Sequence, residues 1–82
     1  MAKYRKRPVV VEAEQCLDPA HPPMGVFHSF RGAPYVITIH DQWAFVSLGD
    51  WIVREPDGVH YYPVRPDVFE ATYELVEEEQ AG

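Results

Sequence analysis

Residues 48–64, LGDWIVREPDGVHYYPV, consist of two short apolar stretches joined by a turn. Pro56 presets its own φ, Asp57 can hydrogen-bond to the following backbone, and Gly58 can adopt a positive φ. This combination predicts a β-hairpin with one strand on each side of the turn. The hairpin is the strongest constraint on the fold, because its turn chemistry makes the two flanking stretches antiparallel neighbours.

The N-terminal third predicts one strand followed by irregular structure. Residues 8–16, PVVVEAEQC, have the period-two pattern of a half-buried strand, with Val9, Val11 and Ala13 facing a core. Prolines and glycines then interrupt residues 17–34, which predicts a long loop of the kind that binds ligands or lacks order. Two aromatic residues are expected to anchor this loop to the core: Phe27 and Phe30.

The rest of the chain adds strands and one helical turn. Residues 35–40 and 43–48 predict a second hairpin around the turn at 41–42. Pro66 begins a helical turn, and residues 72–76 are expected to return as an edge strand. We therefore predict an all-β to α+β fold: a small single-domain β-sheet of five or six short strands with at most one short helix, over residues 1–82.

Charge is distributed unevenly along the chain. The net charge of −6 disfavours a nucleic-acid partner, which would require a basic face. Residues 1–7 form a basic N-terminal arm and residues 77–82 an acidic tail. Solvation of these charges, or pairing between arm and tail of the same or a neighbouring chain, is favoured over phosphate binding. The modest core of so short a chain predicts a homo-oligomer, whose interface would extend the core.

Cysteine usage and hydropathy predict a cellular setting. Cys16 is the only cysteine, which excludes an internal disulfide and favours a reducing cytoplasm. No apolar run approaches the roughly 20 residues that span a bilayer. The segment VVVEAEQ carries acids where a signal peptide needs an apolar core. We therefore expect a cytoplasmic protein with no membrane partner.

Both ends of the chain carry the residues of a resemblance. KYRKRPVVVEAEQ near the start and SLGDWIVREPDGVHYYPVRPDVFEATYE near the end resemble small phage and prophage proteins with the PGDYG domain. Gly49, Asp50 and Trp51 match its Gly-Asp-aromatic step, whereas Leu48 stands where that group usually has proline. The second half of the motif matches Tyr62, Pro63, Arg65, Pro66, Asp67, Phe69 and Tyr73.

The resemblance leaves residues 17–42 uncovered. It implies a phage or prophage origin, and hence the cytoplasm of a bacterial host, together with a small β-rich domain. It implies no established activity and assigns no catalytic residue.

Motifs for catalysis are weak. The spacing of Cys16, His21 and His28 lacks a paired-ligand motif, so surface histidines are favoured over a metal site. No glycine-rich phosphate-binding motif is present, and no cofactor is predicted. Asp50 and His60 across the hairpin could act as an acid–base pair. A role for Asp50 in hydrogen-bonding the preceding turn is favoured, so the chain is not expected to be an enzyme.

Binding is the favoured class of function. Exposed aromatic rings and arginine forks suit a stacked nucleobase with phosphate held by arginine, and equally the centre of a protein interface. The candidate ligand-binding residues are Trp51, Arg54, His60, Tyr61, Tyr62 and Arg65. A competing interpretation, favoured for four aromatic residues, places them in the core: Trp43, Phe45, Trp51 and Phe69.

We therefore expect a small non-catalytic phage-type binding protein that captures a nucleotide-like small molecule stoichiometrically. The alternative is a protein–protein interaction module acting on a host or virion protein. A minor alternative is a small hydrolase built on Asp50 and His60. A concave pocket at the candidate residues would favour the first, a flat apolar patch the second, and a contact between Asp50 and His60 the third.

Overall fold

The computed structural model describes residues 1–5 and 7–76. These residues form two three-stranded antiparallel sheets and one helix. Sheet A has the order β1-β5-β6 and sheet B the order β2-β3-β4. The predicted small β-rich single domain with one short helix is confirmed. The elements are β1 (Ala13–Gln15), β2 (Phe27–His28), β3 (Pro34–Ile37), β4 (Trp43–Phe45), β5 (Trp51–Arg54), β6 (Tyr61–Val64) and α1 (Pro66–Thr72).

The hairpin predicted within residues 48–64 is present as β5 and β6. Its register pairs Trp51 with Val64 at one end and Arg54 with Tyr61 at the other. Gly58 has a φ of 73°, the left-handed conformation that the sequence predicts for it. The Asp57 carboxylate accepts hydrogen bonds from the two backbone amides that follow Gly58, at 2.9 and 3.0 Å. The turn therefore forms as its residues require.

Sheet A lies between sheet B and α1. Successive strand residues point to opposite faces, so Ile52 and Trp51 face different layers. Ile52 belongs to the core shared with sheet B, whereas the Trp51 ring stacks on Phe69 of α1 with a centroid distance of 4.1 Å. The fold thus has three layers in the order α1, sheet A, sheet B. The core cluster consists of Cys16, Val36, Val46, Ile52 and Tyr61.

The expectation that Trp43 and Phe45 lie in the core is wrong. They remain 57% and 61% exposed on β4. The strand turns its small residue, Ala44, towards the core instead, followed by Val46. Small side chains suffice there because Ile52 and Tyr61 from sheet A fill the space between the sheets.

The N-terminal strand and the segment after it also differ from expectation. Val9 is exposed because β1 begins only at Ala13, and Ala13 is exposed on this edge strand of sheet A. Phe27 and Phe30 are 52% and 104% exposed and do not anchor the loop to the core.

The segment predicted as a loop contains β2, and β3 begins at its last residue. At the C-terminal end α1 has seven residues, and no strand forms over 73–76. The acidic tail over 77–82 lies outside the described residues, as does Lys6 of the basic arm. None of the helices in the described part of the chain is long and apolar enough to cross a membrane.

Candidate functional site

Trp51 and Tyr62, two candidate ligand-binding residues, contact the C-terminal segment. Trp51 stacks on Phe69, which in turn stacks on Tyr73 at 4.7 Å. The hydroxyls of Tyr62 and Tyr73 are hydrogen-bonded at 3.1 Å. Burial and this hydrogen bond raise the pKa of Tyr62 far above its ordinary value. Both side chains therefore attach the C-terminal segment to sheet A.

The indole ring of Trp51 is stacked on Phe69, but its N–H group is not hydrogen-bonded within the described residues. Nε1 is buried and has no hydrogen-bond partner among the described residues. An unsatisfied buried donor costs about 1–3 kcal/mol relative to a satisfied one. The stacking of the indole on Phe69 therefore has to offset that cost.

Arg54 stabilises the turn of its own hairpin. Its Nε and Nη2 donate to the carbonyl oxygen of Gly58 at 3.2 and 2.9 Å, and Nη1 donates to the Glu12 carboxylate at 3.2 Å. The guanidinium thus joins the β5–β6 turn to the segment that precedes β1. Arg54 also lines a cleft of about 240 Å³ with residues 9–12, and it is the one candidate residue in that lining.

Tyr61 is a core residue, 9% exposed. Gly25, with a φ of 93°, lies directly against its ring, and a Cβ at that position would come within 2.4 Å of the ring. The glycine therefore allows the 17–34 segment to close over the aromatic face of Tyr61. A ring covered in this way has no face left for stacking a ligand.

His60 lies between two carboxylates. Its Nδ1 is hydrogen-bonded to the Asp57 carboxylate, and its Nε2 lies 3.4 Å from Asp41 Oδ1 in the β3–β4 turn. The hydrogen bond with Asp57 raises the pKa of His60 and lowers that of Asp57 to about 2. His60 thereby links the turns of two hairpins, one from each sheet.

Asp50 has a separate partner from His60. Its Oδ2 accepts a hydrogen bond from the Ser47 backbone amide at 2.9 Å. The two side chains share no hydrogen bond within the described ranges. The acid–base pair on which the hydrolase alternative depends is not assembled, whereas the turn role favoured for Asp50 is observed.

The six candidate residues do not converge on one pocket. Trp51 and Tyr62 face α1, whereas Arg54 and Tyr61 lie on the opposite face of sheet A. Arg65 is exposed and precedes α1, where its carbonyl oxygen accepts from the Phe69 amide at 2.9 Å. Their assignment as a ligand site stays a prediction.

The residues considered as metal ligands differ in their exposure and in their hydrogen-bond partners. Cys16 is buried, and burial raises the pKa of its thiol. His21 is exposed and hydrogen-bonded to Asp18 at 2.9 Å. In the part of the chain that the structure describes, no group of three or more His, Cys, Asp or Glu side chains is placed to hold a metal ion.

Sheet B presents a surface that the sequence did not indicate. Its outer side carries an apolar cluster, named here the aromatic face, that spans all three strands. Cross-strand pairing joins Tyr35 to both Phe27 and Phe45, and Ile37 to Trp43. The exposed fractions of Phe27, Trp43 and Phe45 are 52%, 57% and 61%. The aromatic face consists of Phe27, Tyr35, Ile37, Trp43 and Phe45.

Tyr35 is the centre of the aromatic face. Its ring is stacked on Trp43 with a centroid distance of 3.9 Å and an interplanar angle of 8°. Phe27 lies 5.9 Å away on one side and Phe45 lies 6.3 Å away, edge-on, on the other. Mutual contacts restrict the rings, so little side-chain entropy remains to be lost when a partner covers them. The five members of the aromatic face are uncharged, and its rings are held in place by their contacts with one another.

The aromatic face could not be assigned from the strand pattern. Residues 43–46, WAFV, are apolar at every position, so alternation alone does not show which side is buried. The informative signal is that both sides of this strand are apolar, which means that both sides need a cover.

Comparison of the chain with protein-family models, curated proteins and solved structures gives no match. The resemblance to the PGDYG group and the phage origin that it implies therefore stay predictions.

Proposed function

We propose that this chain is a non-catalytic binding protein that docks on another polypeptide through its aromatic face. The observation that supports this proposal most directly is the exposure of Phe27, Trp43 and Phe45 together on one side of sheet B. Tryptophan and tyrosine are enriched at the centres of protein interfaces, where a ring buries a large area at low entropic cost.

The uncharged members of the aromatic face favour a polypeptide over a nucleotide. A captured nucleotide would need cations for its phosphates beside the stacking rings. The five members of the aromatic face are uncharged, and the Arg54 guanidinium is hydrogen-bonded to Gly58 and Glu12 on sheet A. An exposed apolar cluster whose own members carry no cation matches a protein surface better than it matches a phosphate ligand.

Capture of a nucleotide-like molecule, predicted from the hairpin residues, is the competing proposal. It places the ligand on a different surface of the protein, because it depends on Arg54 and Arg65. Native mass spectrometry of the purified protein separates the two proposals. A released mass of small-molecule size that is lost in both Arg54→Ala and Arg65→Ala would favour capture.

A photo-reactive phenylalanine analogue tests the proposed docking. The analogue replaces Trp43 or Phe45 in cells that make the protein, and Phe30, which is fully exposed outside the aromatic face, serves as the control position. Positions 43 and 45 are expected to give a discrete protein adduct on irradiation, and position 30 is not. Equal labelling from all three positions, or no protein adduct from 43 and 45, would contradict the proposal.

A further inference from the structure

The aromatic face is the open side of a layered fold. Sheet A is covered by α1 on one side and by sheet B on the other. Sheet B has a neighbouring layer on its inner side, whereas three rings of its outer side are more than half exposed. An apolar sheet face is stabilised when another layer removes it from water.

Resting on the proposed function, we propose that the polypeptide covering this surface is a second copy of the chain. The two aromatic faces pack against each other about a two-fold axis. The dimer then has six layers, with the two copies of sheet B at its centre and a helix on each outer side. Such a contact is closed, because each copy uses the same surface and leaves no further copy of it exposed.

The small core of the single chain is the first argument for a second copy. Among the described residues six hydrophobic side chains are buried, whereas sixteen large ones are exposed. Short domains commonly compensate for a small core by oligomerisation. Two aromatic faces in contact would form a second core as wide as a three-stranded sheet.

The available area is the second argument. A covered aromatic side chain buries roughly 150–250 Å², so three rings that are just over half exposed offer roughly 250–400 Å² per copy. Two copies reach about half of the roughly 1,200 Å² of total buried surface at which stable interfaces begin. Tyr35 and Ile37 adjoin these rings, and Ile39 is 49% exposed at the neighbouring turn. These residues add apolar area beside the three rings and bring the contact closer to that threshold.

Charge is the third argument. Face-to-face contact between two copies brings none of the 20 acidic and basic side chains of each chain into the ring cluster itself, because its five members are uncharged. The net charge of −6 on each copy acts at longer range and is screened over about 8 Å at physiological ionic strength. Added salt is therefore expected to preserve or strengthen the dimer. A dimer held by the basic arm and the acidic tail would instead dissociate.

Sedimentation velocity of the full chain over a wide concentration range tests the proposal. The wild type is expected to form a dimer that persists at high salt. Trp43→Ser and Phe45→Ser are each expected to raise the dimer Kd by about 30-fold, the change that corresponds to an interface hot spot of about 2 kcal/mol. Phe30→Ser, at an exposed position outside the aromatic face, is expected to leave the Kd unchanged.

Two oppositely charged variants at one position distinguish loss of the dimer from loss of folding. Phe45→Glu and Phe45→Lys are each expected to be monomeric, because like charges would meet in the interface. An equimolar mixture of the two is expected to form dimers again, which misfolded chains could not do. Recovery in the mixture would support the aromatic face as the contact surface.

Two outcomes would overturn the second copy as the partner. The first is a wild type that stays monomeric at every concentration, and the second is a dimer that Phe45→Glu does not weaken. The photo-crosslinking experiment then decides the proposed function separately. An adduct between position 43 and a different protein would retain the proposed docking, whereas the absence of any protein adduct from 43 and 45 would remove both.

Discussion

The Tyr35 and Trp43 rings lie parallel on the outer side of sheet B, with their centroids 3.9 Å apart. They lie on the neighbouring strands β3 and β4 as a diagonal pair, because the direct partner of Trp43 is Ile37, two residues from Tyr35. On the other side of the molecule Trp51 is stacked on Phe69 at 4.1 Å. Each tryptophan is thus stacked on another aromatic ring. The pair of Trp51 and Phe69 joins α1 to sheet A, whereas Trp43 is on an exposed face of sheet B.

The two tryptophans are expected to differ in their contribution to stability. Trp51→Ala removes the ring that packs between sheet A and α1, so it is expected to lower the free energy of unfolding by about 2–4 kcal/mol. Trp43→Ala removes a ring that is 57% exposed, and a loss of about 1 kcal/mol or less is expected in dilute, monomeric protein. Urea unfolding of the three proteins measures the difference. A larger loss for Trp43→Ala would mean that the outer ring is part of the core.

Gly25 is expected to be intolerant of a side chain. Its φ of 93° strains any other residue, and a Cβ would meet the Tyr61 ring at 2.4 Å. Gly25→Ala is therefore expected to cost about 2–4 kcal/mol, from backbone strain and from displacement of a core ring. Thermal unfolding monitored by circular dichroism gives the change.

Gly32→Ala is the matched control for the Gly25 prediction. Gly32 has a similar φ of 83°, but no atom lies within 4 Å of its added Cβ. This variant is expected to lose about 1 kcal/mol from backbone strain alone. Equal losses for the two variants would show that the closeness of Gly25 to Tyr61 has no energetic consequence.

In this chain the sequence predicts turns and strands better than it predicts which side of a strand is buried. Asp57 and Gly58 have local roles that follow from their own chemistry, so the β5–β6 turn was predictable. Whether Trp43 or Ala44 points inward depends on what sheet A presents to it, and that information lies elsewhere in the chain. The same limit applies to Arg54, whose partner Glu12 is 42 residues away. The residue types predict a binding function, whereas tertiary packing determines which aromatic rings stay exposed.

Arg54 is expected to act on stability. Three of its N–H groups donate to Gly58 and Glu12, and lysine cannot reproduce this fork. Arg54→Lys is therefore expected to lower the free energy of unfolding by about 1 kcal/mol, a value reduced for the partial exposure of the side chain. Arg65→Lys, at an exposed position before α1, is expected to change it by less than about 0.5 kcal/mol. If both variants were as stable as the wild type and each lost a co-purified ligand, the result would support a ligand-binding role for Arg54.

The pairing of His60 with Asp57 predicts a pH window for its contribution to stability. The hydrogen bond with Asp57 raises the pKa of His60 above 6.5, so its stabilising effect is complete below pH 6.5 and is lost as the pH rises through the higher folded-state pKa. The pKa of Asp57 is lowered from 3.8 to about 2, so its effect is present above pH 3.8 and is lost as the pH falls towards 2. Both effects are present together between pH 3.8 and 6.5. The stability difference between the wild type and His60→Gln is therefore expected to be largest in that window.

Measurement of the His60 pKa by NMR, in the wild type and in two variants, checks the cause. Asp57→Asn is expected to lower the pKa of His60 more than Asp41→Asn does, because Asp57 makes the closer hydrogen bond and Asp41 Oδ1 lies 3.4 Å from the ring. The Asp41 variant reports the link between the hairpin turns of the two sheets. A His60 pKa that is ordinary in the wild type and unchanged in both variants would show that the histidine contributes no pH-dependent stability.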